Sequence, residues 1–233
     1  MIGFLIIGLI KTTFITVEKK CSKCNKSFNV KNVVTTNSKG SGDLDFRPPP
    51  MQRDTMEAWI QRCPYCGYSS PDIEKENSIS TSFLKSQEYQ SILTNTKYPE
   101  LCISFLCWAE LAKELKLYDE SAAAYLRAAW VCDDKFNELS NESIELRKKA
   151  IVGIDKAHAN NQLLIKSPKS DELLMLDLLR RTAQFDSCIE YARKKFKLKR
   201  NDFHDKVALY QIKLCENRDQ KIHKLSEIDQ KEL

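Results

Sequence analysis

Two Cys-x-x-Cys pairs constrain the fold of this chain more than any other feature of its sequence. Cys21 and Cys24 form the first pair, and Cys63 and Cys66 form the second. A pair at this spacing can direct two sulfur atoms at one metal ion, and two pairs complete a tetrahedron. The sequence therefore predicts that the four cysteines bind one Zn²⁺, with iron in a rubredoxin-like site as the alternative.

The residues next to each pair fit a metal-binding turn. The second pair reads "CPYCGY", in which Pro64 presets the turn and Gly67 can adopt a positive φ. Asn25 stands where the first pair would have its glycine, and asparagine also tolerates a positive φ. Four basic residues flank the cysteines and are expected to offset the negative charge of the thiolates: Lys20, Lys23, Lys26 and Arg62.

Coordination by four cysteines leaves no open position for water, so we expect the metal to be structural and not catalytic. The alternatives are two disulfides or four unrelated thiols. Nine cysteines are an odd number, and no convincing secretion signal precedes them. These observations favour a cytoplasmic location, where thiols stay reduced.

A long segment separates the two pairs. The β-branched stretch "KSFNVKNVVTTN" predicts a strand that leaves the first pair, and "TMEAWIQRC" predicts its partner strand. Between them, residues 38–55 hold glycines and prolines and are expected to form a partly rigid loop. Its charged residues are predicted to pair with each other or to receive a partner: Asp43, Asp45, Arg47, Arg53 and Asp54.

The chain beyond residue 99 has the periodicity of amphipathic helices. Its pattern predicts two helices joined near Leu117 within residues 102–133, and a second pair within residues 169–200. Tyr118 and Phe185, in the two turns, are 67 residues apart, close to twice the tetratricopeptide period of about 34. The intervening sequence reads as one long helix, and three stacked units fit this pattern.

Stacked helix pairs create a concave surface that commonly binds a peptide or a helix. The first helix of each pair would line this surface, and the paired arginines would anchor an acidic segment. On the repeat alignment, the predicted partner-binding residues are Ile103, Leu106, Glu110, Lys113, Leu173, Asp177, Arg180 and Arg181.

The remaining cysteines, histidines and tryptophans have plain explanations. Five cysteines lie in apolar helical segments and are expected to pack as small hydrophobic residues. Trp108 and Trp130 are expected in the core, and the histidines His158, His204 and His223 are expected to face solvent. The five cysteines are Cys102, Cys107, Cys132, Cys188 and Cys215.

Composition and motifs restrict the function without naming it. The chain has 37 Lys and Arg against 32 Asp and Glu, a net charge of +5 that is too mild to predict nucleic-acid binding. The motifs GxxxxGK[ST], GxGxxG, HExxH and GxSxG are absent, so no catalytic activity is expected. The basic stretch at residues 193–200 supports a nucleic-acid alternative, but cations also suit the end of a helix.

The combination of a zinc ribbon and repeat-like helices resembles an uncharacterised bacterial family, a domain of unknown function with a tetratricopeptide-like region. The resemblance covers most of residues 18–225, and it implies a cytoplasmic location and no activity. In that family both pairs tend to read Cys-Pro-x-Cys-Gly, whereas the first pair here reads Cys-Ser-Lys-Cys-Asn.

The first ten residues, "MIGFLIIGLI", are apolar. They are too few to span a bilayer, which takes about 20 apolar residues. They also lack the basic residues that open a signal peptide. We expect a strand or a mis-assigned start codon, with a weak membrane-surface anchor or an export segment as alternatives. Membrane binding is otherwise not expected.

We therefore predict an α+β fold, with a small β zinc ribbon followed by an all-α tetratricopeptide-like helical-repeat domain. The predicted function is a zinc-binding adaptor or scaffold that binds a protein or peptide. The alternatives are a nucleic-acid-binding protein and a hydrolase-like enzyme that uses Asp43, Asp45 and Asp54. The predicted segments are an apolar N-terminal segment at 1–17, the zinc ribbon at 18–72, a linker and first helix at 73–98, the helical domain at 99–225 and a tail at 226–233.

Overall fold

The computed structural model describes residues 11–228 and has an α+β fold in which a helical part follows two short β-hairpins. The N-terminal part contains strands β1 to β4 and helix α1, and eight further helices follow. The strands are β1 Thr13–Lys20, β2 Ser27–Thr35, β3 Gln61–Arg62 and β4 Ser69–Ser70. The helices are α1 Pro50–Arg53, α2 Thr81–Leu84, α3 Gln87–Leu93, α4 Glu100–Glu114, α5 Tyr118–Lys135, α6 Asn141–Ala159, α7 Pro168–Arg181, α8 Phe185–Lys195 and α9 Phe203–Glu216.

Each Cys-x-x-Cys pair lies at the turn of an antiparallel hairpin. Strand β1 pairs with β2, and β3 pairs with β4. The prediction that "TMEAWIQRC" is the partner strand of β2 is therefore wrong. Met56–Ala58 forms a 3₁₀ helix instead. Met56 and Ile60 are both buried, and because their spacing suits a helical turn as well as a strand, the apolar pattern alone does not distinguish the two. Strand β1 also runs across the predicted boundary between the apolar N-terminal segment, which ends at residue 17, and the zinc ribbon, which begins at residue 18.

The predicted helix pairs are confirmed as helices. Helices α4 and α5 meet at residues 115–117, α7 and α8 meet at residues 182–184, and α6 is one long helix between them. The five cysteines outside the two pairs are buried, and so are Trp108 and Trp130, as predicted. The histidine prediction is wrong for His223, whose side chain is only 13% exposed and contacts Asp219 and Glu227.

The two helix pairs end their first helix in the same way. Lys116 after α4 and Ala183 after α7 both have a positive φ, of 61° and 59°. In each case the next residue donates its N–H five residues back, from Leu117 to the carbonyl of Ala112 at 2.8 Å and from Gln184 to that of Leu179 at 2.9 Å. This is the Schellman end of a helix. The two turns correspond residue for residue at an offset of 67.

Contacts between the two pairs of helices repeat at the same offset. The Ser121 hydroxyl donates to the carbonyl of Ala109 at 2.8 Å, and the Cys188 thiol donates to that of Leu176 at 3.3 Å. Helices α5 and α6 also cross closely, since a Cβ on Gly153 would lie 2.8 Å from the Cβ of Ala122. Small residues therefore set the spacing of these helices.

The loop at residues 38–55 is held by the C-terminal end of the described chain. The Leu44 N–H donates to the carbonyl of His223 at 2.9 Å, and the Leu225 N–H donates to that of Gly42 at 3.0 Å. Ile228 is 3% exposed. The prediction of a tail from residue 226 is therefore wrong for residues 226–228, because their packing partner lies at the other end of the sequence.

No helix of the part that the structure describes is long and apolar enough to cross a membrane. The expectations for residues 1–10 fall outside the described residues, as do residues 229–233.

Candidate functional site

The four predicted ligands come together between the two hairpins. Their sulfur atoms all lie within 4.8 Å of one another, with Cys21 and Cys66 separated by 3.7 Å and Cys24 and Cys63 by 3.6 Å. Zn–S bonds of about 2.3 Å at tetrahedral angles place the sulfur atoms roughly 3.8 Å apart. This donor set therefore has the geometry to hold a metal ion. Among the described residues, no other group of three or more Cys, His, Asp or Glu side chains does.

The two turns have the same backbone conformation. Asn25 has a φ of 59° and Gly67 a φ of 75°, as the sequence predicts. The Asn25 N–H donates to the carbonyl of Cys21 at 2.9 Å, and the Gly67 N–H donates to that of Cys63 at 3.0 Å. The first turn thus reaches the geometry of the second without a glycine, because asparagine tolerates the left-handed region.

The thiols need a cation in order to ionise together. Burial raises the pKa of Cys63 and of Cys66. Burial also acts against the thiolate of Cys24, but hydrogen bonds from the Lys26 N–H and from the other cysteines leave the pKa of Cys24 lowered. Four thiolates this close repel one another, and a bound divalent cation removes that repulsion.

The basic residues beside the cysteines offset this charge only in part. Arg62 pairs with Glu100 on α4, and the ammonium of Lys26 lies 4.6 Å from the ring of Tyr65. Lys23 donates to the carbonyl of Asn77 at 2.7 Å. The prediction that Arg62 balances the thiolates is therefore not met, because helix α4 supplies its partner.

The second turn is packed against the helical part. The Tyr89 hydroxyl of α3 donates to the carbonyl of Gly67 at 2.8 Å, and Tyr89 is 1% exposed. Cys21 and Cys63 belong to the same buried core as helices α4 to α9. The cysteine site therefore connects the hairpins to the helices.

The charged loop pairs with itself at one position and with the helices at two others. Arg53 binds both carboxylate oxygens of Asp43 at 3.0 Å, as the self-pairing prediction has it. The Trp130 Nε1–H of α5 donates to Asp45 at 2.7 Å, and Arg47 pairs with Asp134. The side chains of Asp43, Asp45 and Arg47 are thus committed to contacts within the protein.

The three loop aspartates differ in exposure and in their partners. Asp43 and Asp45 are each 2% exposed and are held by Arg53 and Arg147, whereas Asp54 is exposed. Burial raises the pKa of Asp43, and Arg53 opposes that shift. The three aspartates of the hydrolase-like alternative are thus divided between two buried carboxylates, each paired with an arginine, and one exposed side chain.

Most of the predicted partner-binding residues are buried. Ile103, Leu106 and Leu173 are between 2% and 6% exposed, and so cannot line a surface. Arg180 is fully buried, and it donates to Asp177 at 2.6 Å and to Gln211 at 2.7 Å.

The paired arginines are therefore not anchors for an acidic partner. Arg181 is 2% exposed and donates to the carbonyl of Glu138 at 3.0 Å. Burial acts against the carboxylate of Asp177, but the two arginines hold the pKa of Asp177 below its ordinary value. The reason lies in the packing, because the face of α7 that carries both arginines is covered by its contacts with α6, α8 and α9.

Two of the predicted partner-binding residues do lie on an open surface. Glu110 and Lys113 of α4 line a groove of about 570 Å³ between α4, α5 and α6, which we call the lysine groove. The repeat alignment does not identify the groove residues of α6, because it treats α6 as a helix between two repeats. The other side chains that define the lysine groove are Tyr118, Ser121, Tyr125, Lys148, Lys149, Val152 and Lys156.

The basic stretch at residues 193–200 is divided between a helix end and a loop. Arg193, Lys194 and Lys195 end α8, where cations suit the helix dipole. Lys195 pairs with Glu172 at 3.3 Å, and Phe196 is 5% exposed and packs in the core.

Comparison of the chain with protein-family models, with curated proteins and with solved structures finds no match in any of the three. Conclusions about function therefore depend on the geometry of the sites described above.

Proposed function

We propose that this protein is a cytoplasmic helical-repeat scaffold, held together by one structural Zn²⁺, that docks an acidic peptide of a partner protein in the lysine groove. The observation that carries the proposal is a cluster of three groove lysines that have no ion pair among the described residues: Lys148, Lys149 and Lys156. No catalytic step is part of it.

Zinc is the metal that suits the cysteine site best. Four thiolates in a tetrahedral arrangement are typical of structural zinc, and they fill every coordination position. Iron in the same ligand set is the alternative. The site lies between the hairpins and α3, which supports a structural role for the ion.

Tetratricopeptide-like repeats account for the correspondence between the two helix pairs. The helix ends at Lys116 and Ala183 and the contacts of Ser121 and Cys188 all repeat at an offset of 67. Two repeats of about 34 residues span that offset. Proteins of this architecture commonly bind peptides on their helix surfaces.

The lysine groove has an excess of positive charge. It contains four lysines and one carboxylate, Glu110, which already pairs with Lys113 and accepts from the Tyr125 hydroxyl. Lys148 is exposed and has no ion pair within the described residues. Acidic side chains of a bound peptide would neutralise this excess.

The groove also offers apolar contact. Val152 is 68% exposed, and Tyr118 and Tyr125 form part of the lining. An exposed apolar side chain between lysines suits a peptide in which apolar residues alternate with acidic ones. The predicted occupant is therefore an acidic peptide that also carries apolar side chains.

A peptide fits this groove better than a nucleic acid does. The ammonium of Lys156 lies 4.5 Å from the ring of Tyr118, and that of Lys149 lies 5.5 Å from the ring of Tyr125. Single-stranded nucleic acids bind by stacking bases on open aromatic faces. Lysines that already lie over these rings leave less of each face for a base.

Fluorescence anisotropy with a labelled peptide of alternating glutamate and leucine tests the proposal. We expect the wild-type protein to bind this peptide, and the variant Lys148→Glu/Lys156→Glu to lose at least about tenfold in affinity as charge pairs turn into repulsions. The matched control, Lys194→Glu/Lys197→Glu, changes the same charge at the exposed end of α8 and should bind like the wild type.

A labelled single-stranded oligonucleotide serves as the competing ligand in the same assay. The proposal would be contradicted if the wild-type protein bound the oligonucleotide but not the acidic peptide, and if the α8 control variant lost affinity for the oligonucleotide. That result would favour nucleic-acid recognition. Equal peptide binding by both double variants would show that the lysine groove is not the docking site.

A further inference from the structure

A second cavity lies between the loop at residues 38–55 and helix α5. Its volume is about 290 Å³, and it shares no lining residue with the lysine groove. Aromatic and apolar side chains make up most of its wall. Among the lining residues are Phe46, Gln52, Trp59, Arg127 and Trp130.

Arg127 is a half-buried cation without an anionic partner. Its guanidinium has no hydrogen bond or ion pair with any residue that the structure describes, and it lies 6.0 Å from the centre of the ring of Trp59. The other arginines of the buried interior each pair with a carboxylate. These are Arg47 with Asp134, Arg147 with Asp133, Arg180 with Asp177 and Arg181 with Asp133.

The charges near Arg127 do not neutralise it. Burial lowers the pKa of Arg127, and Glu120, two turns away along the same face of α5, opposes that shift without forming an ion pair. Asp45 also lines the cavity, but its carboxylate accepts from the Trp130 Nε1–H at 2.7 Å and lies 3.4 Å from Arg147. A partly desolvated cation in this position is costly unless an anion joins it.

The cavity is held open by a constrained loop. Phe46 has a φ of 62°, in the left-handed region that is unfavourable for a bulky side chain. Its neighbours Asp45 and Arg47 hold that conformation through their pairs with α5 and α6. Strain of this kind persists where the surrounding contacts impose it, and it is common at ligand sites.

We propose that this cavity binds the carboxylate of an apolar acid. The guanidinium of Arg127 pairs with the carboxylate, and the side-chain amide of Gln52 is available as a further donor. The apolar body of the ligand packs against the rings of Trp59 and Phe46. A planar cation beside aromatic walls suits this chemistry, because the guanidinium can pair with a carboxylate through two hydrogen bonds while the walls contact an apolar body.

Calorimetry with phenylacetate and its neutral isostere phenylacetamide tests the proposal on the wild-type protein. The two probes have the same shape and differ in charge, so a site built around Arg127 should bind phenylacetate at least about tenfold more tightly. Intrinsic fluorescence gives a second readout, since Trp59 and Trp130 line the cavity. Equal affinity for the two probes, or no binding of phenylacetate, would overturn the proposal.

Substitution of Arg127 locates the binding. We expect Arg127→Met to lose the preference for phenylacetate over phenylacetamide and Arg127→Lys to retain part of it. Arg193→Met, at an exposed site on α8, is the matched control and should behave like the wild type. Retention of the full preference in Arg127→Met would place the site elsewhere. The wild-type comparison of acid and amide remains decisive if Arg127→Met fails to fold.

The carboxylate could belong to a free acid or to the end of a peptide chain. A peptide Ala-Ala-Phe with a free C-terminus, compared with its C-terminal amide, distinguishes these sources. Binding of the free-carboxylate peptide above phenylacetate would assign the site to a chain terminus. Binding of phenylacetate alone would assign it to a small acid, and both results support a carboxylate site at Arg127.

Discussion

At the scale of single residues, the cysteine site depends on a few positions with narrow tolerances. Gly67 has a positive φ, and a Cβ on this residue would lie 2.5 Å from Cδ1 of Leu93 in α3. The equivalent residue of the first turn, Asn25, carries a side chain at nearly the same φ. The two turns therefore differ in packing, because Leu93 leaves no room for a side chain at Gly67 whereas a side chain is accommodated at Asn25.

We expect Gly67→Ala to destabilise the protein by about 1–3 kcal/mol, because the added methyl group meets Leu93 and the positive φ becomes strained. Asn25→Gly is the matched control and should be neutral or slightly stabilising, since glycine adopts this φ freely. Urea unfolding of both variants measures the effect. A neutral Gly67→Ala would mean that Leu93 moves away without cost.

The ligand set predicts one zinc ion per chain in the purified protein, measured by elemental analysis. We expect Cys66→Ser to lose the metal and to melt at a lower temperature, as the wild type should after chelation, because metal binding and folding are coupled. Cys107→Ser removes a buried thiol outside the site and should keep its zinc. Full zinc in Cys66→Ser would contradict the assignment of this ligand.

At the scale of elements, the crossing of α5 and α6 shows how packing overrides helix propensity. Gly153 lies within α6, where glycine is about 1 kcal/mol less favourable than alanine. Its position against Ala122 explains this choice, because a Cβ there would lie 2.8 Å from the Cβ and 3.1 Å from the Cα of Ala122. The helices approach closely only because one of them lacks a side chain at the contact.

Gly153→Ala is therefore expected to destabilise the protein, although propensity alone predicts a gain. Overpacking of this kind typically costs about 1–3 kcal/mol. Asp155→Ala, at an exposed position of the same helix, is the matched control and should be neutral or stabilising. Chemical denaturation compares the two variants. A stabilised Gly153→Ala would show that the helices can separate at this point.

At the scale of the whole molecule, a buried network of charges connects the N-terminal loop to the helices. Arg147 of α6 is 1% exposed and donates to Asp133 of α5 at 2.6 Å and to Asp45 of the loop at 3.4 Å. Arg181 of α7 lies 3.6 Å from the same Asp133. The loop, α5, α6 and α7 therefore share one set of ion pairs.

We expect Arg147→Met to destabilise the protein by about 3–5 kcal/mol, because it leaves Asp133 and Asp45 buried with fewer positive partners. Lys149→Met removes a positive charge from the exposed side of α6 and is the matched control. Urea unfolding measures both. If Arg147→Met unfolded at the control's midpoint, water or a side-chain rearrangement would have to replace the guanidinium.

Local features of this protein could be predicted from its sequence. The two Cys-x-x-Cys turns and the positive φ of Asn25 and Gly67 follow from short spacings, because a turn of a few residues has few conformations. The turn near Leu117 and the continuous helix α6 follow from helical periodicity, which depends on neighbours within four residues.

Only the tertiary structure decided which charged residues are exposed. Arg180 and Arg181 read as surface anchors, yet their partners come from α9, from the chain after it and from the residues that follow α5. The loop aspartates likewise take partners on α5 and α6. Such contacts depend on how distant segments pack, and no local pattern encodes them. An arginine in a helix has the same sequence spacing whether its side chain faces water or a buried carboxylate.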